Sequence, residues 1–291
     1  MIDQHSSCTL CNSKKVDLYK GYESPALFKC ADCGFVFTKD IPSSEALIDY
    51  YSSDYDRTSY FSPITAVRYM QLLESFEPFR KTNKILDLGC GYGFFLEIAK
   101  KKGWDVYGVE ITQEAVEHCE EKGINMFKGE VKNVPFEPNS FDIIVSIEVL
   151  EHLNNPVEHV KKIHELMRSG GLHYMSTPNF NAYLRYKLKG NYDIIGYPNH
   201  LSYYTPRTLK KLFIQNGFKV KKMETTGISL TRLKTSKGKS NQEYVSETSD
   251  DEMLRYRTEK APVLKFIKWS LNIILNLFKL GVTLKGSFVK S

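Results

Sequence analysis

From Asn83 onward the chain alternates short apolar runs with amphipathic stretches, and that alternation constrains its fold more than any other feature. KILDL reads as a buried strand, YGFFLEIAKKKG as a helix ended by Gly103, and DVYGVE as a second strand. TQEAVEHCEEKG, INMFKG, FDIIVSI, PVEHVKKIHELMRSG and LHYMSTPN continue the rhythm of helix, strand, strand, helix, strand. Regular β–α repetition predicts an α/β fold with a doubly wound, mostly parallel sheet and a ligand at the carboxyl ends of its strands. The 291 residues suffice for one large or two small domains.

The first strand-to-helix turn is Asp87-Leu-Gly89-Cys90-Gly91-Tyr-Gly93. Glycines there let the backbone approach a ligand and open a helix whose amino terminus faces it. The spacing is GxGxG, which argues against a nicotinamide dehydrogenase and its GxGxxG turn. Glu110 and Ile111 follow about twenty residues on, where a carboxylate can accept ribose hydroxyls; Glu130 and Val131 follow the third strand. Together, ILDLGCGYG, VYGVEIT, GEVKNVPF and SFDIIVSIEVLEHL resemble the successive motifs of class I S-adenosylmethionine-dependent methyltransferases, over roughly residues 83–225. The resemblance implies a seven-stranded sheet. It implies that Asp87, Gly89, Cys90, Gly91 and Gly93 surround the methionine end of S-adenosylmethionine, Glu110 with Ile111 the ribose, and Glu130 with Val131 the adenine. Ser146 and Ile147 would lie against the cofactor, and Glu130 stands where Asp is commoner.

Ahead of this region, Cys8-Thr-Leu-Cys11 and Cys30-Ala-Asp-Cys33 form two CxxC pairs eighteen residues apart. That spacing suits a four-thiolate structural zinc ribbon better than a redox pair, and all four ligands come from the protein. Zinc would supply the folding energy of so short a segment. A ribbon followed by a tyrosine-rich helix and a methyltransferase is similar to bacterial enzymes of surface-polysaccharide and nucleotide-sugar pathways. That likeness implies a carbohydrate or nucleotide-sugar acceptor, free or lipid-linked, methylated on oxygen or on carbon.

Glu148, Glu151 and His152 are spaced to share one helical turn just beyond FDIIVSI, and His200 lies in YPNHLSYYTP. These four are the candidate catalytic residues. The E-x-x-E-H stretch, STPN at 176–179 and a later His resemble two metal-using branches of the superfamily, the small-RNA 2′-O-methyltransferases and the ubiquinone-pathway O-methyltransferases. In those branches a metal holds two adjacent acceptor oxygens. Mg²⁺ or Mn²⁺ on Glu148, Glu151, His152 and His200 is one reading. A metal-free role for either histidine as base or substrate ligand is another, and a purely structural turn a third. His118, His159 and His164 read as residues of solvated helix faces. Tyr50, Tyr51, Tyr55 and Tyr60, and then Tyr183, Tyr186, Tyr192, Tyr197, Tyr203 and Tyr204, suit either an acceptor surface or ordinary packing.

The net charge of +6 belongs to the tail: from Lys234 onward there are eleven Lys/Arg against six Asp/Glu, a balance of +5. A near-neutral body gives little support to a nucleic-acid partner, although an RNA 2′-O-methyltransferase is an alternative reading, and a non-catalytic cofactor-binding scaffold another. The polar residues after Met1 carry no signal-peptide pattern, so a reducing cytoplasm is the expected compartment. The expected divisions are a ribbon at 1–40, a helical linker or lid at 41–82, the methyltransferase domain at 83–233, a flexible linker at 234–261 and an amphipathic helix at 262–291. In that last segment Lys265, Lys268, Asn272, Asn276 and Lys279 form a polar stripe opposite an apolar face. Contact with the inner face of a membrane and docking on protein are both consistent with it.

Overall fold

The structure is a computed structural model, and it describes residues 3–43, 46–47, 50, 61–238, 247 and 249–291. Five short strands come first: β1 (Asp3–Gln4), β2 (Val16–Glu23), β3 (Ala26–Cys30), β4 (Val36–Thr38) and β5 (Asp40–Ile41). Much of the tyrosine-rich stretch expected to form a helix after the ribbon falls outside the described residues, including Tyr51, Tyr55 and Tyr60. Helix α1 (Pro63–Phe76) starts where the Ser62 side chain accepts from the Thr65 amide and Pro63 pre-sets the first turn. It buries Leu73 and Phe76.

The main sheet is built from β6 (Lys84–Leu88), β7 (Asp105–Glu110), β8 (Asn125–Lys128), β9 (Phe141–Ile147) and β10 (Met167–Pro178). The short strand β11 (Ser202–Tyr203) precedes the last two, β12 (Phe218–Thr226) and β13 (Thr283–Lys290). The seven strands of the main sheet run in the order β12-β13-β10-β9-β6-β7-β8. β6 pairs in parallel with both β7 and β9, and only β13 runs against its neighbours. β6 and β9 sit centrally because their apolar residues bury on both faces: Ile85, Leu86, Ile143 and Ile144 are fully buried. Helices α2 (Phe94–Lys101), α3 (Gln113–Glu121), α4 (Pro156–Leu166), α5 (Tyr183–Leu188) and α6 (Pro206–Ile214) connect these strands. The α/β, mostly parallel seven-stranded sheet expected from the sequence is the fold.

The carboxyl-terminal third departs from expectation. The expected flexible linker at 234–261 instead carries the end of α7 (Leu230–Thr235) and α8 (Asp250–Lys260), while 239–246 and 248 lie outside the described residues. Residues 262–291 are not one helix: α9 (Pro262–Leu277) ends the helical part, and β13 then inserts between β10 and β12. The sheet is therefore completed from beyond residue 233. β13 buries alternate residues, Leu284, Gly286, Phe288 and Lys290, but a glycine and a lysine among the four obscure the pattern. Lys290 tolerates burial because its Nζ donates to Asn139 Oδ1, His164 O and Met167 O at 2.6–2.8 Å. His159 is buried on the sheet side of α4, not solvated.

The ribbon is not a free-standing unit. β11 adds to its sheet in the order β11-β4-β3-β2, and Cys8, Cys30, Phe35 and Phe37 share one apolar cluster with Leu86, Phe213 and Phe288. On the opposite edge, Asp142 at the start of β9 accepts from the amides of Lys81, Thr82 and Asn83 at 2.7–2.8 Å and pairs with Arg168. It has no exposed surface. Burial works against the charged form, but Arg168 and the three amides outweigh it and hold the carboxyl below its usual range. Such a depressed acid stabilises the fold above its unfolded pKa and loses that contribution as pH falls through the folded value. Asp142→Ala leaves Arg168 and three amides without their acceptor and is expected to lower stability by about 3 kcal/mol at neutral pH, read by urea denaturation.

Candidate active site

Two loops at the carboxyl ends of β6 and β7 form a cradle. Gly89, Gly91 and Gly93 all take positive φ, at 70°, 52° and 72°, which bends the chain sharply into α2. A Cβ on Gly89 would lie 2.8 Å from Val149, and one on Gly93 2.7 Å from Cys119, so these two glycines are fixed by packing. Over Gly91 nothing lies within 4 Å, and the turn is open there. Cys90 and Cys119 pack against each other beneath it.

Glu110 closes the cradle. One carboxylate oxygen accepts from the Gly91 amide at 3.0 Å, the other from Ile111 N at 2.7 Å and Thr112 N at 3.2 Å. Asp87 is buried with an oxygen, Oδ1, that has no hydrogen-bond partner, and the Ser146 hydroxyl is likewise buried and unpartnered. Burial, and then nearby Cys119 and Glu110, push the Asp87 carboxyl well above its usual range. A buried acid in that state is complementary to a cationic ligand group such as an ammonium or sulfonium. Burial raises the Tyr69 hydroxyl on α1, and the charges of Asp87 and Glu148 add to the rise. Glu130 reaches Lys132 at 2.8 Å and stays exposed, whereas Val131 is buried.

The second cluster lies at the end of β9. Glu148 takes a positive φ of 56°, and only Leu150–His152 form a helical turn, a single 3₁₀ one. The three residues therefore do not share an α-helical face as expected. Ser176 Oγ donates to Glu148 at 2.7 Å and Thr177 Oγ1 to Glu151 at 2.8 Å, both from the end of β10. Glu151 is buried and Glu148 opens to solvent, though protein walls surround it. Burial, followed by the neighbouring Glu148 charge, raises the Glu151 carboxyl well above its normal value; burial also raises Glu148.

His200 arrives from the loop before β11. One donor atom from each of Glu151, His152 and His200 lies within 4.8 Å of the others. Glu148 is not in that group, but its charge acts on the neighbouring Glu151 carboxyl. The expected set of four is thus three converging residues and an adjoining acid. The rings of His152 and His200 are 5.0 Å apart, and their Nδ1 atoms meet the carbonyls of Asn199 at 2.7 Å and Ile194 at 2.6 Å. A carbonyl only accepts, so His200 carries its proton on Nδ1 and its lone pair on Nε2, the arrangement of a metal-ligating imidazole. Burial, and then the charge of His152, lower His200 to about 3, which keeps it neutral. Arg232 on α7 faces both acids, a neighbour no sequence motif signals.

The four ribbon cysteines also converge. Cys8 Sγ lies 3.6 Å from Cys33 Sγ and Cys11 Sγ 3.7 Å from Cys30 Sγ, and all four lie within 4.8 Å of one another. A tetrahedral site with Zn–S bonds of about 2.3 Å requires sulfurs about 3.8 Å apart, so the set fits zinc.

Residues 64–222, more than half the chain, match the family described as methyltransferase domain. The chain belongs to the class I S-adenosylmethionine-dependent methyltransferases. Among curated proteins, this methyltransferase is 31% identical over 131 residues to the ubiquinone biosynthesis O-methyltransferase of Roseobacter denitrificans, covering 43% of this chain and 52% of that protein. The protein of the same name from Aeromonas salmonicida is 28% identical over 153 residues, covering 48% and 64%. The chain thus spans about half to two-thirds of the length of these relatives. A solved S-adenosylmethionine-dependent methyltransferase from Archaeoglobus fulgidus superposes with a TM-score of 0.56 at 21% identity, over 83% of this chain and 100% of that one. Phosphoethanolamine N-methyltransferase 2 of Haemonchus contortus, bound to S-adenosylmethionine, gives 0.53 at 16%, over 88% and 62%. At these identities the superpositions speak to fold alone.

Removing the carboxylate that braces the cradle is the direct test of its geometry. Glu110→Ala is expected to weaken S-adenosylhomocysteine binding by about ten- to a hundredfold in calorimetry, with the far-ultraviolet dichroism unchanged.

Proposed function

We propose that this methyltransferase moves the methyl group of S-adenosylmethionine to an oxygen of an acceptor bearing two adjacent hydroxyls, assisted by Mg²⁺ or Mn²⁺. The observation that carries this reading is the convergence of Glu151, His152 and His200 beside Glu148. The buried Glu151 carboxyl beside the Glu148 charge favours an added cation, and imidazole with carboxylate is a donor set that Mn²⁺ or Mg²⁺ accepts. A divalent ion held there would act as a Lewis acid, easing loss of the acceptor's proton.

The chain's own residues do the rest. Ser176 and Thr177 fix the acids, the Asn199 and Ile194 carbonyls fix the imidazoles, and Asp87 with Glu110 would orient the sulfonium compound. The acceptor oxygen attacks the methyl carbon in line as the carbon–sulfur bond breaks, giving a methyl ether, S-adenosylhomocysteine and one proton. Much of the rate then comes from positioning.

On acceptor class, the named relatives are O-methyltransferases of ubiquinone biosynthesis, and none of their names supports the carbohydrate or nucleotide sugar expected from the order of ribbon and methyltransferase. We favour an aromatic ring with adjacent hydroxyls. The ribbon, in the same reading, holds a structural zinc on Cys8, Cys11, Cys30 and Cys33.

EDTA is expected to abolish methylation of a catechol while ribbon zinc, followed by elemental analysis, and S-adenosylhomocysteine affinity persist; added Mg²⁺ or Mn²⁺ restores turnover. His200→Ala should lower kcat about a hundredfold or more. Full activity in chelator would reject the catalytic ion. Separately, Cys30→Ser should lose the bound zinc and, because β11 belongs to the ribbon sheet, depress activity although no ribbon cysteine belongs to the cradle.

A further inference from the structure

The helix α9 is inside out for a protein surface. Its polar stripe faces the protein: Asn272 Oδ1 accepts from Gly227 N at 2.8 Å and Asn276 Oδ1 from Thr225 N at 3.0 Å. Lys265 and Lys268 reach Glu259 on the neighbouring helix α8 at 3.5 and 2.9 Å. The opposite side holds Val263, Phe266, Trp269, Ile273, Leu277 and Phe278, each 48 to 73% exposed. At about 100° per residue these six cover roughly half the helix circumference. Of the helix only Leu275 is buried. A contiguous apolar face of this size on a helix pinned by its polar side requires an apolar occupant.

We propose that α9 docks this face into the surface layer of an anionic lipid membrane. Three observations favour lipid over a second copy of the chain. Lys265 and Lys268, with side chains 54% and 37% exposed at the margin of this face, share the single carboxylate of Glu259, and that net positive margin would be set against itself in a two-fold contact, whereas anionic headgroups complement it. Phe266 and Trp269 lie side by side with ring centroids 5.8 Å apart, both exposed, the aromatic type that partitions to headgroup depth. The helix spans about 24 Å at about 1.5 Å per residue, shorter than a hydrocarbon core, and no helix among the described residues is long and apolar enough to cross a membrane. It lies in the interface plane instead.

The position gives the contact a consequence. After α9 the carbonyls of Lys279 and Gly281 accept from the Asn179 amide group at 3.0 and 2.7 Å, and Asn179 follows the Ser176–Thr177 pair that holds the two acids. The loop that follows α9 is thus anchored at the strand end that carries the hydroxyl partners of the two acids. The docking itself does not depend on the acceptor class.

The test uses the whole chain with vesicles of phosphatidylglycerol and phosphatidylcholine. Cosedimentation with the mixed vesicles is expected, weaker with phosphatidylcholine alone. The two tryptophans separate the signal: Trp104 is buried and Trp269 exposed, so a blue shift on vesicle addition should vanish in Trp269→Phe. The triple variant Phe266→Ser, Ile273→Ser, Leu277→Ser should bind vesicles at least about tenfold more weakly and keep its S-adenosylhomocysteine affinity, which shows it folded. Absence of vesicle binding by the folded wild-type chain at low salt overturns the proposal. So does a concentration-dependent dimer, without vesicle binding, that the triple variant abolishes.

Discussion

One residue's backbone joins the three parts of the site. The Leu201 amide donates to the Glu151 carbonyl at 2.8 Å, and its own carbonyl accepts from Thr38 N at 3.0 Å. These two bonds tie the ribbon strand β4, the loop that carries His200 and the turn that carries Glu151 and His152 to one another. Ser202 Oγ donates to Leu153 O and the Tyr204 hydroxyl to Leu150 O, repeating the tie on either side of the acid turn. Backbone bonds of this kind tolerate almost any side chain, so the coupling of ribbon to site is carried by geometry and leaves no motif behind.

That explains what the sequence discloses and what it withholds. Apolar runs buried on both faces, KILDL and FDIIVSI, and the glycine turn after the first announce themselves because each needs particular residue types. The four cysteines are equally legible. β13 is hidden because its inward positions include Gly286 and Lys290, and the lysine's burial depends on three acceptors distant in sequence. His159 misleads for the same reason: its polarity suggests solvent, yet α4 turns it toward the sheet. The site is legible as residues but not as geometry. Glu148, Glu151, His152 and His200 all stand out in the sequence, while the positive φ of Glu148, the 3₁₀ turn and the approach of Tyr69 and Arg232 follow from tertiary packing.

The two acid centres differ in how they are satisfied. Asp142, at the opposite end of β9, has an arginine and three amides and stays ionised at no net cost to the fold. Glu148 and Glu151 receive one hydroxyl each, and Asp87 retains an unpartnered oxygen. Asp142 is compensated by an adjoining arginine and three amides; Asp87 keeps a buried oxygen without a hydrogen-bond partner, and Glu148 and Glu151 have the Arg232 charge near them.

The connection between β12 and β13 places α9 under a related constraint. Both strands belong to the sheet and pair with each other from Phe218–Lys290 to Thr226–Thr283, so the helical excursion begins and ends at the same edge. Asn272 and Asn276 bond the backbone of Gly227 and Thr225 at that edge, and Gly281 fits against Thr225 and Thr226 so closely that a Cβ would meet their backbone at 2.4 Å. The rotation of α9 about its own axis is therefore set by hydrogen bonds and by a close backbone approach. Apolar burial does not set it, because the apolar side is the one left outside. A helix held by its polar residues pays no penalty for exposing the others only when something apolar meets them.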